Sequence, residues 1–183
     1  MIPHTSAGTL CPSPNTRAGH KAQQGMTKLY FEDLRLDSAM TYGAYHVTAD
    51  EIRSFASEYD PQPMHLDEAF ARKSLLGGLA ASGWHTCSMM MRIIIDGFLY
   101  NAAAMGAGGV DEVRWLKPVR PGDVLHVRHV ITGMRASQTK PDRGFVNFQF
   151  QLMNQNNELV MEQRNGIMFE RRTQAPAQSG DHA

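Results

Sequence analysis

The chain has 183 residues, with 18 basic and 18 acidic side chains that balance to zero formal charge. That length suits one domain with a sizeable core, and balanced, scattered charge supplies no field for nucleic acid or an anionic membrane. The two cysteines, Cys11 and Cys87, form neither a disulfide framework nor a zinc-binding spacing, which points to a reducing, cytoplasmic compartment.

Residues 1–25 are rich in Pro, Ser, Thr, Gly and Gln and hold almost no large apolar side chain. They lack a secretory apolar region. Arg17 and Lys21 in an acid-free stretch resemble a transit peptide, but Pro12 and Pro14 spoil an amphipathic helix. Residues 1–27 are therefore expected to be a disordered extension, and patterned sequence opens at Met26. Residues 173–183 read as a disordered polar tail, leaving 28–172 as the folded domain.

The first helix is expected at Thr48. Thr48 and Glu51 form a T-x-x-E capping box, and Ile52, Phe55, Ala56 and Tyr59 follow on one face. It should end at Asp60, because a residue before proline is pushed out of the helical region. A turn, Pro61 to His65, leads to a short helix around Glu68 to Lys73. Gly77 and Gly78 then break the chain before a long helix starting near Ser82. Its polar stripe is His85, Ser88, Arg92 and Asp96, whereas Trp84, Met89, Met90, Met91, Ile93, Ile94, Ile95 and Phe98 cover the other faces. Such a helix should be largely wrapped by protein. It is too polar and too short to span a membrane.

Antiparallel strands are expected thereafter: Val110 to Leu116, Val124 to Met134, Val146 to Leu152, and Glu158 to Phe169. Leu125, Val127 and Ile131 share one face, and Val146, Phe148, Phe150 and Leu152 alternate with Asn147, Gln149 and Gln151. One buried helix followed by four strands predicts an α+β fold: a single hot-dog domain whose curved antiparallel sheet wraps the long central helix. The exposed edge of that sheet favours pairing with a second copy, as a homodimer or higher homo-oligomer.

The candidate chemistry begins at Asp60 and His65, on one loop stiffened by Pro61 and Pro63. A carboxylate can orient a water while an imidazole moves its proton near neutral pH. The long helix adds free N–H donors at Gly83 and Trp84 and a positive dipole end. No acidic residue lies between Leu79 and Ile95 to quench it. Gly83 has no side chain to keep a carbonyl oxygen from its N–H, although close packing of the helix end also explains a glycine there. Lys117 and Arg120 sit near a strand end and turn, where solvated surface charge is the default reading. His126 and His129, three apart in a strand, face opposite sides, so no metal site is expected. Cys87, mid-helix among apolar residues, reads as structural.

Y-D-P-Q-P-M-H-L-D (Tyr59 to Asp67), G-G-L-A-A-S-G-W-H (Gly77 to His85) and V-R-W-L-K-P-V-R-P-G-D (Val113 to Asp123) together resemble the signature of MaoC-type dehydratases, R-specific enoyl-CoA hydratases of hot-dog fold. The likeness covers nearly all of residues 28–170. It implies reversible addition of water across the 2,3-double bond of an acyl-CoA thioester. Asp60 would hold the water, His65 would act as general base and acid, and the Gly83 N–H would stabilise the enolate-like oxygen. Ser82, Trp84, Lys117 and Arg120 would contact substrate, with no cofactor beyond the coenzyme A of the substrate itself. Many relatives have Asn-Pro where this chain has Gln62-Pro63. A hot-dog thioesterase and a non-catalytic acyl-CoA-binding protein are the alternatives.

Overall fold

In chain order the elements are β1 (Ala39–His46), α1 (Ala49–Tyr59), α2 (Pro63–Leu66), α3 (Glu68–Lys73), α4 (Gly83–Gly97), β2 (Ala104–Gly106), β3 (Glu112–Trp115), β4 (Val124–Ala136), β5 (Arg143–Met153) and β6 (Leu159–Glu170). This computed structural model describes residues 28–172, so the expectations for residues 1–27 and 173–183 lie outside the described residues.

Alternation fixes the sheet. Along β5 the side chains of Val146, Phe148, Phe150 and Leu152 are buried, and along β4 those of Leu125, Val127, His129 and Ile131. A period of two sends these residues to one face, and both strands turn that face toward α4. The strands are antiparallel in the order β1-β4-β5-β6-β2, with β3 also paired to β6. Met89, Met90, Ile93 and Ile94 of α4 pack in one core with Phe148, Phe150 and Phe169. Each such side chain contributes about 1.5–3 kcal/mol on full burial. The result is the hot-dog arrangement, a curved sheet around one long helix.

The curl is completed by β1. Its register shifts between Tyr42 and Tyr45, and Gly43 there has φ of +91°. A Cβ on Gly43 would lie 2.3 Å from Ile93 Cγ2. Only glycine combines that backbone conformation with so close an approach to α4.

Three sequence expectations change. The strands β1 and β2 were not anticipated: β1 is mostly exposed and bulged, so it shows no alternation, and β2 has three residues. The long helix is wrapped on one side only, because Trp84 (63 % exposed), Met91 (45 %) and Ile95 (39 %) remain open alongside Ser88, Arg92 and Asp96. His85 leaves the polar stripe, since α1 covers the first turn of α4 and Phe55 stacks on its ring at 4.6 Å between centroids. No helix among the described residues is long and apolar enough to cross a membrane.

Candidate active site

α1 delivers the carboxylate. Thr48 caps it, accepting a hydrogen bond from the Glu51 N–H at 3.2 Å, and Pro61 ends it. Asp60 is the C-cap, with φ −150° and ψ 68°, while its N–H still donates to the Ala56 carbonyl. Three residues on, Pro63 opens α2 at a position where its missing N–H costs nothing. That short turn swings His65 back toward Asp60 and buries it to 5 % exposure. Asp67, the last residue of the Y-D-P-Q-P-M-H-L-D run, caps α3 by accepting from the Phe70 N–H.

The pair is held by four contacts. His65 Nδ1 lies 2.8 Å from the Ala80 carbonyl oxygen, which can only accept. The ring proton therefore sits on Nδ1, and a neutral His65 presents a lone pair at Nε2. Asp60 Oδ2 accepts from the buried Ser82 hydroxyl at 2.5 Å, and Oδ1 accepts from Gln62 Nε2 at 2.7 Å. These bonds, Ser82 first and Gln62 second, hold the Asp60 carboxyl below its usual range, with a smaller contribution from His65. The fourth contact joins the two functional groups: His65 Nε2 and Asp60 Oδ2 are 3.8 Å apart. That is too far for a direct hydrogen bond. A water at about 2.8 Å from each would see the two atoms about 85° apart, within reach of both.

His65 and Gly83 line a cleft of about 430 Å³ together with Met64, Leu75, Leu76 and Trp115. Gly83 is the first residue of α4, and Ser82, its N-cap, makes no capping bond because its hydroxyl is committed to Asp60. No acidic residue lies in that first turn, so its leading N–H donors are not engaged by a side chain of the helix itself. The glycine also answers a packing demand. A Cβ at Gly83 would stand 2.7 Å from Trp115 Cε2, and the indole Nε1–H donates to the Gly83 carbonyl at 2.9 Å.

The remaining candidates divide. Lys117 lines the cleft and pairs with Glu158 at 2.5 Å. Arg120 is turned inward instead: its guanidinium donates to the Leu76 carbonyl at 2.5 Å and the Leu79 carbonyl at 3.5 Å, so it clamps the loop that leads to Ala80. The same loop is tied from β3's continuation by the Ala81 N–H bonding the Val119 carbonyl. Trp84 presents its side chain to the exterior, edge-on to Trp115 at 5.6 Å, and only its backbone belongs to the helix start. Burial pushes the Cys87 thiol up, which suits a structural residue rather than a nucleophile. His126 and His129 fall on opposite sides of β4 as expected, and His129 is fully buried.

Sequence reasoning missed the Ala80 carbonyl, the anchoring roles of Gln62 and Arg120, and the indole over Gly83. The carbonyl carries no sequence signal, because any residue supplies one. Gln62 was visible only as a departure from the Asn-Pro of relatives.

Comparison with known proteins decides the family. The model of the MaoC-like domain matches residues 37–146, more than half of the chain. The chain belongs to the MaoC-like domain family. A MaoC-like dehydratase from Rhodospirillum rubrum is 39% identical, with a TM-score of 0.73 over 79% of this chain and 99% of that one. The uncharacterised protein YdeM of Bacillus subtilis is 27% identical across 68% of this chain and 87% of its own length. The R-hydratase PhaJ1 of Pseudomonas aeruginosa, at 19% identity and a TM-score of 0.61 over 81% of this chain and 93% of that one, shares the fold. In this MaoC-like protein the carboxylate, the imidazole and the glycine at the helix start thus meet at one end of α4.

Proposed function

We propose that this protein is a hydro-lyase that adds water to, or removes it from, the 2,3-bond of an acyl-CoA thioester. The observation that carries the reading is the separation of Asp60 Oδ2 and His65 Nε2, 3.8 Å, with the His65 tautomer fixed by the Ala80 carbonyl. An ionised Asp60 accepts one hydrogen of the water and orients its oxygen toward the β-carbon. As that C–O bond forms, His65 Nε2 takes the water's other proton, and a proton returns to the α-carbon. The negative charge that builds on the thioester oxygen meets the Gly83 N–H at the positive end of α4. Dehydration runs through the same groups in reverse. The electrostatics suit this: Ser82 and Gln62 favour the Asp60 anion, so it stays a hydrogen-bond acceptor and leaves proton transfer to His65.

Lys117, at the cleft, is the candidate for a coenzyme A phosphate, whereas Arg120 serves the loop. The exposed apolar residues Trp84, Met91 and Ile95 on α4 support assembly as a homodimer.

The test is loss of the enoyl-thioester absorbance band when the protein meets crotonyl-CoA and longer enoyl-CoAs, measured without thiol release. Asp60→Asn should fold normally and lose orders of magnitude in rate. Undiminished turnover by that variant would remove the mechanism, and release of free coenzyme A would replace it with a thioesterase.

A further inference from the structure

The Gly83–Trp115 contact reaches beyond packing. Gly83 heads α4, and a glycine at a helix start is the residue with most backbone freedom to lose. Glycine has no side chain to hold it, its N-cap hydroxyl is engaged with Asp60, and the peptide before it is anchored by the Ser82 carbonyl, which accepts from the Thr86 N–H at 2.9 Å and the Thr86 hydroxyl at 3.1 Å. Two groups of Trp115 compensate. The indole ring lies on the Gly83 Cα, so close that a Cβ would approach Cε2 to 2.7 Å, Cδ2 to 3.0 Å and Cζ2 to 3.1 Å. The indole N–H donates to the Gly83 carbonyl at 2.9 Å. The ring thus packs against Gly83 while the indole N–H holds the carbonyl of the following peptide, so Trp115 fixes where Gly83 sits, and the Thr86 bonds to the Ser82 carbonyl fix the plane of its N–H.

Trp115 itself is held from two directions. Its backbone pairs β3 to β6 opposite Met161, and Trp84 meets its ring edge-on at an interplanar angle of 79°. It is 48 % exposed, and its side chain also lines the cleft beside His65, Gly83 and Thr86. One side chain is therefore shared between the oxyanion donor and the wall against which a bound thioester must lie.

We propose that Trp115 is a positioning residue for the thioester oxygen, acting through Gly83, and that its ring contacts the bound acyl thioester. The inference rests on the hydro-lyase reading for its catalytic half. A donor aimed at charge that develops only in the transition state affects kcat more than substrate affinity. Removing an oxyanion donor outright costs about 10²–10³ in kcat, so loosening one costs less, about tenfold.

Trp115→Phe keeps an aromatic ring over Gly83 and deletes the N–H. It should lower kcat for crotonyl-CoA about tenfold, leave KM within about twofold and lower the melting temperature by no more than about 5 °C, the loss of one hydrogen bond. An unchanged kcat overturns the proposal, as does a fall in kcat that disappears when variant and wild type are assayed well below both melting temperatures. The second measurement uses the fact that the chain has two tryptophans, Trp84 and Trp115. In a Trp84→Phe background, emission reports Trp115 alone. Titration with butyryl-CoA, which is saturated and cannot be hydrated, should change that emission saturably. Calorimetric binding of butyryl-CoA without an emission change refutes the contact. Failure of the hydro-lyase reading looks different: wild-type protein leaves every enoyl-CoA intact while Trp115 still responds to butyryl-CoA.

Discussion

Ser82→Ala isolates one interaction. Ser82 is 1 % exposed, and its hydroxyl donates to Asp60 Oδ2 at 2.5 Å without capping α4. The substitution removes a hydrogen bond to a charged group and leaves only a hydroxyl-sized gap. Such bonds contribute about 1.5–3 kcal/mol, equivalent to about ten- to a hundredfold in kcat/KM if the whole of it orients the carboxylate. Asp60 retains some solvent access, with its side chain 19 % exposed, so water replaces part of the lost bond and the lower end is expected. The pH dependence gives a second readout. Ser82 is the first cause of the lowered Asp60 pKa, so its loss moves that pKa up and shifts the acid limb of the kcat/KM profile toward neutrality. The stability effect has a matching sign. A carboxyl lowered in the fold stabilises above its unfolded pKa, and that contribution disappears as pH falls through the folded value. Variant and wild type should therefore differ slightly in melting temperature at neutral pH and converge in acid. Wild-type kcat/KM with an unmoved acid limb would refute the claim that Ser82 sets the state of Asp60.

Lys117→Ala and Arg120→Ala should part company. The first raises KM for coenzyme A substrates with stability intact, and the second lowers the melting temperature, because Arg120 holds the Leu76 and Leu79 carbonyls; identical kinetic effects would undo this division. Gly83→Ala should destabilise by about 1–3 kcal/mol through overpacking against the indole, read by urea denaturation. Burial lowers the pKa of both His85 and His129 to about 4. Each is neutral in the fold, so stability should fall as pH drops from the unfolded value near 6.5 toward 4, by at most a few kcal/mol per residue. His85→Phe keeps an aromatic ring against Phe55 and should flatten part of that slope in melting curves across pH.

The features read correctly from sequence are those with local causes. The Thr48 cap, the stop before Pro61 and the alternation of β4, β5 and β6 each depend on neighbours a few residues away. What escaped depends on partners distant in the chain. β1 is recognisable only once Gly43 is seen against Ile93 and its register against β4, and no local pattern carries that. His85 fits a polar stripe by angle, yet Phe55 of another helix buries it. Trp84, Met91 and Ile95 read as core because hydrophobicity states a preference for burial without naming what does the burying. At the site, Asp60, His65 and Gly83 were visible as a spaced motif. The supports around them were not, since a backbone carbonyl has no residue type and an arginine on a loop has many uses.

The order of the strands separates the molecule into parts that assemble differently. β4, β5 and β6 are consecutive neighbours, so their pairing needs only short connections. β1 instead pairs with β4 across residues 47–123, a loop of roughly eighty residues closed by His46 against Val124, whose closure is entropically the dearest contact in the sheet. Every residue of the Asp60–His65–Gly83 constellation lies inside that loop. Hydrogen exchange should therefore find the meander most protected and the α1–α4 segment opening with β1, so that the catalytic geometry is the last to form and the first to be lost.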